Sequence, residues 1–381
     1  MKKTIQLIAG VGLALGGAAQ AETGSGTGVG WGALNLPRGV TPSSVDIHDL
    51  HMLILWICVG IGILVYGILA YSLIHHRKSK GAVPATFHEN HKLEIVWTII
   101  PFLILLAMAI PATKVMMKVY DTSASDMTIK VTGYQWKWRY TYLDEGIDFF
   151  SSLDAKSNEA RQLGSKIDPA TVEHYLLNVD KPLVIPANKK IRILLTAADV
   201  LHAWWVPEFG WKKDAIPGFV TDGWIKVDKP GVYRGQCAEL CGRDHGFMPI
   251  VVIVKTEDEY KQWVAQQKGV QAANTVDPSK PLTADELIAK GKDVYAANCA
   301  ACHMPGGEGM PGTFPAIKGS KVAQGPVADH VKLVLHGKAA MPAFADQLND
   351  VEIAAVVTYQ RNGFGNNKGD SIQPAEIQAL K

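Results

Sequence analysis

Two long uncharged runs dominate the first third of the chain. Leu53–Ile74 contains 22 residues and Ile95–Thr113 contains 19, and neither run holds a charged side chain. Each run is long enough to cross a hydrocarbon core of about 30 Å as a helix. Pro101 and Pro111 in the second run are tolerated in a membrane helix that packs against neighbours. The pattern therefore predicts a two-helix transmembrane hairpin within residues 22–118. Its helices are expected at about 50–75 and 94–117.

The connection between the two runs is basic. It carries His75, His76, Arg77, Lys78, Lys80 and Lys92. Positive residues in short loops favour the cytoplasmic side, so both ends of the hairpin are expected to face outward. Residues 1–21 combine Lys2 and Lys3 with a short apolar stretch and the small-residue site Ala19-Gln-Ala21, which predicts a cleaved signal peptide. The alternative, a first transmembrane helix, fits a run this short and rich in glycine less well.

Beyond residue 119 the apolar positions begin to alternate with polar ones. Residues 128–134, Thr-Ile-Lys-Val-Thr-Gly-Tyr, follow the two-residue period of a half-buried strand. Further strands are predicted at Trp136–Tyr142, Leu183–Ile185, Lys190–Thr196, Trp224–Val227, Gly231–Gly235 and Ile250–Lys255. Many short strands separated by turn residues predict an all-β sandwich or barrel over 119–265. Residues 143–180 are more polar and less regular, and are expected to form a surface excursion.

The last hundred residues have a helical pattern. Residues 266–281 are rich in Gln, Ala, Asn and Pro, which predicts a linker. Thr283 followed three residues later by Glu286 is typical of a capping box at a helix start. Asp350–Asn362 is expected to be the closing helix. An all-α domain is therefore predicted over 282–381.

Composition narrows the function classes. The chain has 381 residues and a net charge of +2, so no strongly polyanionic partner is indicated. Basic tracts interleaved with aromatic residues are missing from the sequence, which argues against nucleic acid as a partner. Of the five cysteines, four form two close pairs and Cys58 lies alone in the first apolar run. No pair is left over for a structural disulfide.

The first cysteine pair belongs to a loop rich in soft ligands. Cys237, Cys241, His245 and Met248 lie within twelve residues, and His202 precedes Cys237 by 35 residues. Thiolate, thioether and imidazole ligands suit copper, but a single-copper electron-transfer site uses only one cysteine. Two thiolates on one loop are able to bridge two copper ions. One copper would then be completed by His202 and Met248, and the other by His245 and the backbone carbonyl of Glu239.

Two other interpretations of this loop remain open at the level of sequence. Zinc also binds Cys and His at short spacing, although it has no use for Met248. A disulfide across three loop residues is possible in an oxidising compartment, but it would leave His245 and Met248 without a role.

The second cysteine pair predicts a haem. Cys299-Ala-Ala-Cys302-His303 matches the attachment pattern of a c-type haem, in which both thiols are linked to the haem and His303 takes one axial position. A thioredoxin-like dithiol is the alternative, but the surrounding sequence lacks alternating strands. Met341 is the expected sixth ligand, with Met310 as its rival. Met opposite His raises the reduction potential of the haem.

These motifs together resemble subunit II of a haem-copper cytochrome c oxidase. The matching stretches are Leu93–Pro101, Tyr134–Trp138, Asp199–Trp204, Lys213–Gly218 and Gly235–Pro249, which are specific as a set. The cysteine loop distinguishes the chain from quinol-oxidising relatives, which lack this copper. The C-terminal haem domain resembles the bacterial variant in which a cytochrome c is fused to subunit II.

The resemblance implies a cupredoxin-like sandwich that holds a dinuclear copper A centre. It assigns the copper ligands to His202, Cys237, Glu239 through its main-chain oxygen, Cys241, His245 and Met248. It implies a magnesium ion that the Glu239 carboxylate would contact, electron acceptance from cytochrome c at Trp136, and a proton path whose mouth lies near Glu94. A snorkelling anchor is the alternative role for Glu94.

The implied function is electron transfer within a respiratory complex. Electrons from cytochrome c would pass through the haem and copper A to haem in subunit I, where oxygen is reduced to water with proton translocation. The implied partners are subunit I, subunit III and cytochrome c. The implied location is the bacterial inner membrane, with both cofactor domains on the periplasmic face. The alternative is a membrane-tethered carrier that serves another periplasmic reductase. A complete enzyme similar to nitrous oxide reductase would need far more than the 12 histidines present.

Overall fold

The computed structural model describes residues 34–273 and 281–381. The predicted signal peptide, residues 1–21, lies outside the described residues. The chain divides into two compact units, the first ending at Gln262 and the second beginning at Trp263. A helix, Glu257–Ala273, crosses this division and so extends into the predicted linker at 266–281.

Two long helices form the expected hairpin. Helix α1 spans Pro42–His75 and helix α2 spans His91–Tyr120, joined through a short 3-10 turn at Lys78–Lys80. Both helices are long and apolar enough to cross a membrane, and their apolar windows are not buried within the protein. Pro101 and Pro111 lie inside α2 without ending it.

Helix α1 begins eight residues before the predicted position 50. Thr41 caps its first turn, where the hydroxyl accepts a hydrogen bond from the Ser44 backbone N–H and Ser44 returns one to Thr41. The Thr41 hydroxyl also donates to the Phe209 carbonyl at 2.7 Å, and Ser43 and Ser44 are buried. The polar start of α1 therefore packs on the β domain, which the hydrophobic run alone did not indicate.

The β domain is a sandwich of two five-stranded sheets. Its strands are β1 Met127–Tyr134, β2 Lys137–Tyr142, β3 Ile147–Ser151, β4 Leu183–Pro186, β5 Ile191–Ala197, β6 His202–Val206, β7 Trp211–Ala215, β8 Thr221–Ile225, β9 Gly231–Cys237 and β10 Pro249–Lys255. One sheet has the order β3-β2-β1-β5-β8 and the other β4-β10-β9-β6-β7. The β1–β5 and β4–β10 pairs are parallel and the other pairs are antiparallel. This confirms the predicted sandwich.

Alternating inward residues of the two sheets form the core of the sandwich. Fully buried members include Ile129, Val131, Tyr140, Ile193, Trp204 and Val252. The Trp204 indole N–H donates to the Tyr140 hydroxyl at 3.3 Å, so these two buried polar groups pair across the sandwich.

The expectation of an irregular excursion at 143–180 is wrong for part of that segment. Residues 147–151 form β3, which pairs with β2. Helix α3, Ala155–Ala160, follows, with Asp154 as its N-cap. Ser157 and Ala160 are buried, so α3 packs onto the domain and does not project from it.

Over its described residues, the second unit is built from helices joined by loops. After α4, Glu257–Ala273, come α5 Ala284–Asn298, α6 Ala300–His303, α7 Lys321–Gln324, α8 Val327–His336, α9 Asp350–Asn362 and α10 Pro374–Leu380. The capping box of Thr283 and Glu286 is present at the start of α5, as predicted. Helix α9 has the predicted bounds, but α10 follows it and closes the unit.

Helices α5 and α9 cross at close range. A Cβ atom at Gly291 would lie 2.1 Å from the Ala355 carbonyl oxygen, so only glycine permits this approach. Buried apolar side chains of α5, α8 and α9 surround the crossing, among them Leu287, Val331, Leu335, Ile353 and Val356. The crossing sets the position of the chain that follows α5, which carries Cys299, Cys302 and His303.

Candidate metal and haem centres

Neighbouring strands bring His202 to the cysteine loop. Strand β6 begins at His202 and β9 ends at Cys237, and the two strands pair with Trp204 opposite Cys237. The sequence separation of 35 positions between these residues is therefore spanned by β7, β8 and β9. His202 sits at the same end of the sandwich as the loop from Cys237 to Met248.

The thiols and imidazoles of this loop converge. The Cys237 Sγ lies 3.9 Å from His202 Nδ1 and 3.9 Å from Cys241 Sγ. Cys241 Sγ lies 3.5 Å from His245 Nδ1. The carbonyl oxygen of Glu239 lies 3.4 Å from Cys237 Sγ. Two sulfur atoms thus face each other, with one imidazole beside each of them and a carbonyl oxygen close by.

The site is shielded from solvent. His202 is fully buried, and Cys237 and Cys241 are 5% and 2% exposed. A Cβ atom at Gly133 would lie 2.8 Å from the His202 ring, so a glycine is needed behind the imidazole. Met248 is buried, and its carbonyl oxygen accepts a hydrogen bond from the Cys237 backbone N–H at 3.0 Å. This bond ties the two ends of the loop together.

The pKa values of the two thiols shift in opposite directions. Hydrogen bonds from the Cys241 thiol and His202 lower the pKa of the Cys237 thiol to about 3, against the opposing effect of burial. The same contact raises the pKa of Cys241, since two thiolates so close together repel each other. A cation that binds between the sulfur atoms would allow both thiols to deprotonate.

Asp199 is a functional residue that the sequence reasoning missed. Its Oδ1 lies 2.9 Å from His202 Nε2, so Nδ1 is the nitrogen that faces Cys237. Burial lowers the pKa of His202, but the hydrogen bonds to Asp199 and Cys237 outweigh it and raise the pKa overall. A carboxylate behind a metal-binding imidazole is a common outer partner that fixes the ring. The three-residue spacing of Asp199 and His202 is the signal that was available.

The donor set decides among the interpretations of the loop. Cys237 and Cys241 are free thiols, which rules out a disulfide between them in this structure. The ligand atoms of His202, Cys237 and Cys241 lie within 4.8 Å of one another, the only such group of His, Cys, Asp and Glu across 34–273 and 281–381. Two thiols, two imidazoles, a carbonyl and a buried thioether fit soft copper better than zinc.

Trp136 lies against the loop from Cys237 to Met248, which we call the copper loop. Its indole N–H donates to the Cys241 carbonyl at 3.2 Å, and the Gln135 side-chain amide donates to the same oxygen at 2.9 Å. Trp136 is half-buried, so one part of the ring touches the loop while another part reaches solvent.

Glu94 lies in the first turn of α2 and takes part in its cap. Asn90 is the N-cap, and its backbone N–H donates to Glu94 Oε1 at 3.4 Å. His91 Nδ1 lies 3.3 Å from Glu94 Oε2. These contacts account for Glu94 locally as a helix-terminal acid.

The haem motif lies where two helices meet. Cys299 is the C-cap of α5 and is buried, while Cys302 and His303 lie on the short helix α6. His303 Nδ1 donates to the Pro315 carbonyl at 2.7 Å, which leaves Nε2 for an axial bond to iron. An open cavity of about 430 Å³ lies between Glu308 and Ala316 beside this loop. The residues present therefore fit a c-type haem.

The two candidate sixth ligands occupy different loops. Met341 is partly buried against the core of the unit, and its backbone is hydrogen-bonded to Lys338 in both directions. Met310 lines the cavity together with Pro315, whose carbonyl pairs with His303. Met341 stays the prediction for the second axial position.

Comparison with known proteins identifies the family. A family model described as the periplasmic domain of cytochrome c oxidase subunit II matches residues 127–255, and one for its transmembrane domain matches residues 29–115. A probable cytochrome c oxidase subunit 2 from Rickettsia bellii is 40% identical over 61% of this chain and 83% of its own length. The chain belongs to the cytochrome c oxidase subunit II family.

A second relative agrees with this assignment, and part of the chain is similar to a solved structure. Cytochrome c oxidase subunit 2 from Cereibacter sphaeroides is 35% identical over 66% of this chain and 86% of its own length. The periplasmic domain of subunit II of cytochrome oxidase from Bradyrhizobium japonicum is 41% identical, covering 39% of this chain and 97% of that structure, with a TM-score of 0.33.

The helical unit matches a different family. A model described as cytochrome c oxidase, cbb3-type, subunit III covers residues 286–359. This confirms the predicted fusion of a cytochrome c domain to subunit II. The chain is thus a membrane protein of the subunit II type that serves electron transfer, with copper A implied in the sandwich and haem implied in the helical unit.

Proposed function

We propose that this chain receives electrons from cytochrome c and passes them, by way of its haem c and copper A sites, to haem in subunit I. Oxygen would be reduced to water there, with proton translocation. The observation that carries the proposal is the convergence of the buried side chains of Cys237, Cys241 and His202 with His245 at one end of the sandwich.

The copper site is proposed to be dinuclear. Its ligands would be His202, Cys237, the Glu239 carbonyl oxygen, Cys241, His245 and Met248. Bound copper would supply reversible one-electron transfer. The protein contributes a fixed set of donors and the exclusion of water, because the strands and the hydrogen bonds of the loop already hold these groups in place.

The haem site is proposed to use Cys299 and Cys302 for attachment, with His303 and Met341 as axial ligands. The hydrogen bond from His303 to Pro315 supports this, because it orients the imidazole and strengthens Nε2 as a donor. A Met ligand opposite His suits acceptance of electrons from a high-potential donor.

Partners and location complete the proposal. Subunit I and subunit III are the expected partners within the membrane, and both cofactor units are expected on the periplasmic face of the bacterial inner membrane. Trp136 would receive electrons, Glu94 would lie near the mouth of a proton path, and Glu239 would contact magnesium at the interface with subunit I. The Trp136 hydrogen bond to Cys241 supports the first of these roles.

Metal analysis of the purified protein tests the proposal. We expect about two copper ions and one haem iron per chain, because the loop offers two thiols that would hold two copper ions and the helical unit carries one attachment motif. Replacing Cys241 with Ser should remove the dinuclear copper and leave the haem content unchanged. Rapid-mixing spectroscopy should then show the haem reduced by cytochrome c but no longer reoxidised at the normal rate. One zinc per chain, or normal haem reoxidation in Cys241→Ser, would refute the proposal.

A further inference from the structure

The segment from 152 to 180 is fastened to the sandwich at several points. The Asp180 backbone N–H donates to the Ser152 carbonyl at 3.0 Å, and Leu153 pairs with Val179 in an isolated bridge. The Arg234 guanidinium on β9 donates to the Asn178 side chain at 3.0 Å. Helix α3 is thereby held in a fixed place on the domain, and Arg161 follows directly at its C-terminal end.

Arg161 reaches from this segment to the copper loop. Its guanidinium donates to Asp244 Oδ2 at 3.0 Å, and the guanidinium carbon lies 4.3 Å from the centre of the Phe247 ring. The Nε–H donates to the Asn158 side chain at 2.8 Å, which fixes the plane of the guanidinium. The Arg161 and Asp244 side chains are only 14% and 5% exposed.

These two contacts lie on either side of a copper ligand. Asp244 immediately precedes His245, and Phe247 follows it by two residues, next to Met248. The Phe247 backbone N–H donates to the Asp244 carbonyl at 2.9 Å, so the turn that carries His245 is short and closed. Arg161 holds both ends of this turn, by charge at one end and by stacking at the other.

The chemistry of the Arg161–Asp244 ion pair indicates that Arg161 positions the turn that carries His245. A buried ion pair usually adds little stability compared with apolar packing, but it restricts the geometry of the groups that it joins. A planar guanidinium that engages a carboxylate and a ring together also imposes an orientation, which an ammonium group does not.

We propose that Arg161 is a positioning residue for the copper centre, which fixes the turn that presents His245 Nδ1 to Cys241 Sγ. This inference rests on the proposed function, because it assumes that His245 binds copper. Outer partners of metal ligands typically change metal affinity by about 10–100-fold when they are removed.

The test compares variants of the complete oxidase. Arg161→Gln removes the charge and the stacking, whereas Phe247→Leu removes only the ring. Arg139→Gln is the matched control, because Arg139 pairs with Asp148 and lies 5.6 Å from the Phe150 ring, and both of these partners belong to strand β3 of the same domain. Copper retention against a chelator, the electron paramagnetic resonance spectrum of the copper and its reduction potential are measured, together with thermal unfolding.

We expect Arg161→Gln to retain copper about 10–100-fold less tightly and to alter the copper hyperfine pattern. Arg161→Lys should restore retention in part, because it keeps the charge opposite Asp244. Arg139→Gln should lower the unfolding temperature but leave the copper spectrum unchanged. If Arg161→Gln does not fold, a shifted spectrum in Phe247→Leu carries the same conclusion.

The outcomes separate the two proposals. An unaltered protein that binds no dinuclear copper refutes the proposed function before any variant is considered. An unaltered protein with the expected copper, combined with Arg161→Gln and Phe247→Leu variants whose spectra and copper retention equal those of Arg139→Gln, refutes only the role of Arg161.

Discussion

At the scale of single residues, Asp199 organises the His202 side of the copper site. One carboxylate oxygen faces His202 Nε2 and accepts from the Val200 N–H, and the other accepts from the Gln135 N–H at 2.7 Å. Gln135 in turn donates to the Cys241 carbonyl. Asp199 therefore links the imidazole to Gln135, which follows strand β1, and through Gln135 to the cysteine loop, so its loss should affect more than one proposed ligand.

Asp199→Asn should weaken copper binding by about 10–100-fold, because an amide keeps the shape of the side chain but loses the charge that orients and polarises the imidazole. Competition with a chelator measures the change. The matched control is Asp222→Asn, since Asp222 is paired with Arg192 in the same domain away from the loop. Equal copper retention in the two variants would contradict the role given to Asp199.

The sequence groups the proposed ligands, but it does not indicate the residues that support them. Cys237, Cys241 and His245 lie in one loop, so their spacing was sufficient to group them. Arg161 and Asp244 are 83 residues apart, and their contact depends on how the segment from 152 to 180 folds back. A local sequence pattern therefore does not predict the contact between Arg161 and Asp244.

At the scale of elements, the α5–α9 crossing depends on Gly291. Gly291→Ala should destabilise the helical unit by about 1–3 kcal/mol, because the added methyl group meets the Ala355 carbonyl and forces the helices apart. The gain in helix propensity, about 1 kcal/mol, is smaller than this cost. Thermal unfolding followed by haem absorbance measures the effect.

Gly269→Ala is the control for this change, since Gly269 lies in α4 with open space around it. It makes the same substitution in a helix without a clash, and should be neutral or slightly stabilising. Unfolding temperatures that rise equally in both variants would show that the crossing tolerates a side chain.

Strands were predictable where burial alternates along them. Strand β5 has this pattern, and it was found within one residue of its observed bounds. Strands β6 and β7 were missed for opposite reasons: four of the five β6 residues are buried, whereas the middle of β7 is polar because it is an edge strand. Neither shows the two-residue period on which the prediction depends.

At the scale of the whole molecule, the distribution of basic residues predicts the orientation in the membrane. The loop between α1 and α2 carries Arg77, Lys78 and Lys80, and such loops stay in the cytoplasm. A hairpin returns the chain to the side from which it started. The sandwich, which follows α2, is therefore expected on the opposite face from this loop, together with the helical unit that follows it.

Labelling with a membrane-impermeant maleimide tests this topology. Cysteine is introduced at Lys181, on the exposed surface of the sandwich, or at Lys80, in the loop between the helices. Lys181→Cys should react in spheroplasts, and Lys80→Cys should react only in inverted vesicles, because the bilayer separates the two positions. The unaltered chain gives the background of its five native cysteines. Labelling of Lys80→Cys in sealed spheroplasts would contradict the topology, because it would place the basic loop outside. The two cofactor units would then lie in the cytoplasm, where cytochrome c of the periplasm has no access to them.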